Sequence, residues 1–98
     1  MREAIDLLIV DDAPDDAELL AMELTNHGLV FNWKREDNET GLRSAFEEQP
    51  WDVVLCDIQM PYLTPEQTLD ITRETGGNIP VIIISGTVRE ADAIGLFK

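Results

Sequence analysis

Val53-Val54-Leu55-Cys56-Asp57-Ile58-Gln59-Met60-Pro61 is the stretch that decides the fold. An uninterrupted apolar run leads straight into the carboxylate of Asp57, and Pro61 closes the segment four residues later. Such a run reads as a strand buried on both faces, as a parallel sheet requires. Asp57 then stands at the carboxyl end of that strand, where open α/β sheets place their ligand sites. Cys56, the only cysteine, reads as a small buried hydrophobe, and a single thiol allows neither an internal disulfide nor a cysteine zinc site.

Upstream, Ile5-Asp6-Leu7-Leu8-Ile9-Val10 forms a first apolar strand ending at Asp11-Asp12. Pro14 suits the first turn of a helix, and Asp15, Asp16 and Glu18 complement the positive end of its dipole. Leu19, Leu20, Met22 and Leu24 give that helix an apolar stripe, and Asn26-His27-Gly28 stops it, with Gly28 free to turn left-handed. His27 reads as a last-turn residue, because no second histidine exists to join it as a ligand. Leu29 to about Lys34 is a second strand by its β-formers Val30, Phe31 and Trp33. The polar run Arg35-Glu36-Asp37-Asn38 follows, with Asn38 as N-cap of a helix through Leu42, Ala45 and Phe46 that ends at Gln49-Pro50.

Downstream, Thr64 as N-cap and Pro65 at the first position open a third helix running to about Thr75, stopped by Gly76-Gly77. Pro80 to Ser85 is a fourth strand, Gly86-Thr87 turns the chain, and Arg89 to Lys98 begins a fourth helix through Ala91, Ile94 and Phe97. Strands and helices that alternate with short connections predict an α/β fold, a flavodoxin-like doubly wound parallel sheet of order 2-1-3-4. Val81 to Ile84 reads as buried on both faces, yet it is the last strand. Its edge therefore calls for a further strand and helix or for a partner chain.

The chain has 98 residues, which fits one domain, and 44% hydrophobic residues, which is normal for a folded core. No apolar run reaches the roughly 20 residues of a membrane-spanning helix, and the acidic N-terminus does not resemble a signal peptide, so a cytoplasmic protein is expected. Seven basic against twenty acidic residues give a net charge of −13, which repels nucleic-acid backbones and suits a divalent cation.

Three strands end in polar groups: Asp11-Asp12, Asp57, and Ser85-Gly86-Thr87. Right-handed crossovers put these ends on one rim. Taken singly, the acids read as dipole-complementing or turn residues and Ser85 as a cap; the joint arrangement in strand order is the signal. Like charges about 4 Å apart repel by roughly 4 kcal/mol at an effective dielectric near 20, so the group must bind protons or a cation. Magnesium favours hard oxygen ligands and commonly bridges carboxylates to phosphate, with manganese as a substitute. A carboxylate beside such an ion can attack a phosphoryl group.

On these residues the sequence resembles the receiver domain of two-component response regulators. The Leu7 to Asp12 strand end, Asp57-Ile58-Gln59-Met60-Pro61, and Pro80-Val81-Ile82-Ile83-Ile84-Ser85-Gly86-Thr87 carry the likeness across the whole chain. The Ser-Gly-Thr variant looks like receivers attached to, or working beside, sensor histidine kinases. The resemblance implies that Asp57 accepts a phosphoryl group from a histidine kinase or phosphotransfer protein. It implies that Asp12 ligates magnesium directly, Asp11 through water, and Gln59 by its backbone carbonyl. Ser85 matches the hydroxyl that moves to the phosphoryl group and starts the switch, and Gln59 and Thr87 match positions that tune autodephosphorylation.

Family members continue into a fifth strand that carries a lysine paired with the phosphoryl group. Lys98 falls in the fourth helix and Lys34 in the second strand, so neither replaces it. A receiver over residues 1–98 that lacks strand 5 and helix 5, with weaker phosphorylation or switching, is therefore expected. Two other functions compete. In an assembly module, the sheet would pair or swap through strand 4 or helix 4. A magnesium-dependent phosphohydrolase would want a second Asp two residues after Asp11, where Ala13 stands.

Overall fold

The computed structural model describes residues 4–84. The elements are β1 (Ile5–Val10), α1 (Pro14–Asn26), β2 (Phe31–Glu36), α2 (Glu39–Glu48), β3 (Val53–Asp57), α3 (Pro65–Ile71), a π-helical turn (Thr72–Gly76) and β4 (Val81–Ile84). All strand pairs are parallel, and the sheet order is β2-β1-β3-β4. The expected order is thus present. The helix expected from Arg89 and the Ser85-Gly86-Thr87 turn lie outside the described residues.

Strand alternation divides the core between the two faces of the sheet. Leu8, Val10, Val54 and Cys56 pack against Leu42, Ala45 and Phe46 of α2, with Leu63 and Ile71. Leu7, Ile9 and Leu55 pack on the opposite face against Ala17 of α1. Leu7 to Val10 are each no more than 1% exposed, as a central strand covered on both sides must be. The start of β3 is tied to β1 by Asp52 N–H donating to the Asp6 carbonyl at 2.8 Å and Asp6 N–H donating to the Asp52 carboxylate at 2.7 Å. Trp51 Nε1 donates to the Ala45 carbonyl at 2.8 Å and so anchors the end of α2 beside the same strand.

Four sequence expectations need correction. The buried stripe of α1 is built from Ala17 and Ala21 with partly buried Leu20 and Leu24; Leu19 and Met22 face outward, Met22 at 60% exposure. Alanines let the helix lie close to the sheet. The second strand begins at Phe31, later than Leu29, and extends through Glu36. Leu29 belongs to the stop of α1, where Gly28, at φ 92°, donates to the Thr25 carbonyl and Leu29 N–H to the Leu24 carbonyl.

The third helix also changes its winding. Its capping box is present, with Thr64 Oγ1 accepting from Gln67 N–H and Gln67 Oε1 from Thr64 N–H. After Ile71, however, the backbone widens into a π turn. Within it Thr72 Oγ1 donates to the Thr68 carbonyl and Thr75 Oγ1 to the Ile71 carbonyl, each at 2.7 Å. A Cβ on Gly76 would lie 2.8 Å from the Phe46 ring, so glycine permits this close approach to α2. Finally, β4 is not buried on both faces: Ile82 is 51% and Ile83 48% exposed, at the edge of the described sheet.

Candidate metal and phosphoryl site

The register of the central strands builds the site. Val10 pairs with Cys56, so the next residues, Asp11 and Asp57, emerge side by side at the carboxyl ends of β1 and β3. Asp12 follows Asp11 before α1 begins. One carboxylate oxygen from each of Asp11, Asp12 and Asp57 lies within 4.8 Å of the others, an arrangement able to hold a cation. The three residues grade outward in exposure, from buried Asp11 through half-buried Asp57 to exposed Asp12.

Hydrogen bonds hold two of these acids. Asp11 N–H donates to the Glu36 carbonyl at 3.0 Å, and its Oδ1 accepts from Ala13 N–H at 2.9 Å. Asp57 Oδ1 accepts from Gln59 N–H at 3.1 Å, while Ile58 N–H donates to the Ile84 carbonyl at 3.0 Å and fixes the turn after β3. Burial pushes the Asp11 carboxyl up to about 6; the Ala13 N–H opposes that rise, and the charges of Asp57, Asp16 and Asp12 add to it. Asp57 is raised in the same way, first by burial and then by Asp12 and Asp16, against the opposing Gln59 N–H. These shifts are first those of carboxylates withdrawn from water, with repulsion between the neighbouring acids adding to them.

Cys56 is fully buried, as expected, and burial raises its thiol. Its Sγ lies 3.4 Å from the Asp57 carbonyl and 3.6 Å from Thr68 Oγ1. His27 caps the end of α1, 3.5 Å from Glu23 and far along the chain from the acids. The acids expected from the sequence therefore converge, and Gln59 sits beside them through its N–H. Ser85 and Thr87 lie outside the described residues.

One contact at this rim escaped sequence reasoning. Arg35 Nη1 donates to the Asp11 carbonyl at 3.1 Å and lies 3.4 Å from Asp37 Oδ2. The polar run containing it was expected to be a connection, but Arg35 is part of β2, paired with Ile9.

Comparison with known proteins agrees with this architecture. Residues 7–98 match the response regulator receiver domain. Protein PilH of Pseudomonas aeruginosa is 39% identical over 90 residues, covering 90% of this chain and 73% of PilH. The uncharacterized transcriptional regulatory protein YcbL of Bacillus subtilis is 36% identical over 92 residues, which is 91% of this chain and 38% of YcbL. Among solved structures, a response regulator receiver protein from Pseudomonas putida superposes with a TM-score of 0.71 at 18% identity, over 99% of this chain and 80% of its own. The receiver domain of the sensor histidine kinase PA1611 from Pseudomonas aeruginosa, which has a magnesium ion coordinated in its active-site cleft, gives 0.69 at 20% identity, over 93% and 75%. By the match across 7–98 and the likeness to PilH, the chain belongs to the response-regulator receiver family.

Proposed function

We propose that this receiver domain works in the cytoplasm and takes a phosphoryl group onto Asp57 from a sensor histidine kinase or phosphotransfer protein, with a divalent cation held by Asp11, Asp12, Asp57 and the Gln59 backbone carbonyl. Receiver domains are phosphoacceptor switches rather than classical enzymes. The observation that carries the proposal is the convergence of the three carboxylates at the ends of β1 and β3.

The Asp57 carboxylate attacks phosphorus as the P–N bond to the donor histidine breaks. An acyl phosphate forms, and the departing imidazole keeps the bonding electron pair and takes up a proton. Magnesium or manganese, when bound, would offset charge on the phosphoryl oxygens and on the crowded acids. Asp11 and Asp12 supply hard oxygen donors, and the Gln59 N–H orients Asp57 by holding one carboxylate oxygen. In the same proposal Ser85 supplies the hydroxyl that answers phosphorylation, and Thr87 tunes the lifetime of the acyl phosphate.

Incubation with acetyl phosphate and magnesium tests this reading by intact mass. One phosphoryl group should add to the parent and none to Asp57→Asn or to the parent in EDTA. Labelling that persists in Asp57→Asn would refute it. The exposed Ile82 and Ile83 of β4, at the edge of the sheet among the described residues, favour a second role in self-association. A monomer in sedimentation at micromolar concentration would exclude that role.

A further inference from the structure

We propose that Arg35 is a positioning residue for the acidic site, acting through the backbone of Asp11; this rests on the reading of Asp11, Asp12 and Asp57 as cation ligands. Asp11 is held at three points. Its N–H reaches the Glu36 carbonyl, its Oδ1 accepts from Ala13 N–H, and its carbonyl accepts from Arg35 Nη1. The first continues the strand ladder and the second is local to the turn. The third alone is a side chain reaching from another strand, across 24 positions of sequence.

The carbonyl that Arg35 holds belongs to the peptide joining Asp11 to Asp12. Fixing it fixes the direction in which both carboxylates leave β1. Arg35 is itself held. Its side chain is only 30% exposed, and Asp37 Oδ2 lies 3.4 Å from the same Nη1. Asp37 Oδ1 in turn accepts from Asn38 Nδ2 at 2.7 Å, and Asn38 Oδ1 caps α2 at Gly41 N–H. A continuous set of hydrogen bonds therefore runs from the start of α2 through Arg35 to the acid pair. Arg35 meets Asp11 at the carbonyl, which leaves the carboxylate oxygens to face Asp57 and Asp12.

This role and a purely electrostatic one give opposite signs. Deleting a cation near an acidic site makes the site more negative, so a divalent cation should bind at least as tightly. Deleting a positioning contact should weaken binding, typically by about tenfold or more for groups that orient metal ligands.

The test is magnesium titration by calorimetry of the parent, Arg35→Gln and Arg35→Lys, beside urea unfolding of each in EDTA and amide NMR of the metal-free proteins. The expected result is about tenfold weaker magnesium binding in Arg35→Gln at a temperature where it is fully folded. Arg35→Lys, which can still donate to the carbonyl, should recover most of that loss, and the Asp11 to Ala13 amide signals should shift in Arg35→Gln. If Arg35→Gln does not fold, Arg35→Lys decides alone: it keeps the charge and alters only the geometry of the donor, so magnesium binding weaker than in the parent supports the proposal, and binding equal to or tighter than in the parent overturns it. Binding in Arg35→Gln equal to or tighter than in the parent overturns it outright. A parent that binds no magnesium overturns the underlying reading of the acids as well.

Discussion

Replacing Asp11 with Asn should stabilise the metal-free protein at neutral pH, although it removes a proposed ligand. The Asp11 carboxyl is raised from 3.8 to about 6, chiefly by burial. A carboxyl raised on folding holds its proton in the native state after the unfolded chain has released it. Its effect is therefore absent below the unfolded value, and stability is lost as the pH climbs through the interval from 3.8 to about 6. Roughly two units at about 1.36 kcal/mol each give an upper value near 3 kcal/mol. The rim is open to solvent at Asp12, and screening there brings the expected figure to about 2 kcal/mol.

Asn keeps the Oδ1 acceptor for Ala13 N–H, so the turn survives while the charge goes. Urea unfolding followed by circular dichroism in EDTA should show Asp11→Asn about 2 kcal/mol more stable than the parent at pH 7.5 and about half a kcal/mol more stable at pH 4. In thermal melts the neutral-pH gain corresponds to about 10 °C for a domain of this size. Saturating magnesium should reverse the ranking, because about one hundred times its dissociation constant stabilises the parent by about 2.7 kcal/mol. Equal stability of the two proteins at pH 7.5, or a gain that does not shrink on acidification, would refute the electrostatic account of this site.

Gly76→Ala should destabilise by about 1–2 kcal/mol, because the added methyl meets the Phe46 ring; an unchanged urea midpoint would show that the ring yields freely. Thr64→Ala removes the capping-box acceptor for Gln67 N–H and should cost about 1 kcal/mol by the same assay. Leu8→Ala, at a fully buried position of the central strand, should cost about 2–5 kcal/mol; a loss under 1 kcal/mol would mean that the two faces of the sheet are less tightly covered than described.

The centre of the fold was legible because β1 and β3 are short unbroken apolar runs that end in carboxylates. That pattern reports burial on both faces and the position of the rim at once. The margins were less legible for identifiable reasons. Leu29 resembles the start of a strand, but its N–H is used to close the helix before it. On α1 the large side chains Leu19 and Met22 suggested the packed stripe, whereas proximity to the sheet selects Ala17 and Ala21. The π turn goes with Thr72 bonding back to the Thr68 carbonyl and Gly76 fitting against Phe46 of α2, neither of which periodicity records. Arg35 was missed because a guanidinium that binds a distant carbonyl leaves no spacing signature in the chain.

Cys56 offers a different use for the strand that bears Asp57. It is the only thiol in the chain, fully enclosed, and one residue from the proposed phosphoacceptor. Reagents can reach it only when the sheet and α2 separate, so its modification rate counts openings of β3 itself. The chain thus contains its own chronometer, set in the strand that leads into the acidic rim. Any ion or phosphoryl group that holds the closed state should slow that clock in proportion to its occupancy.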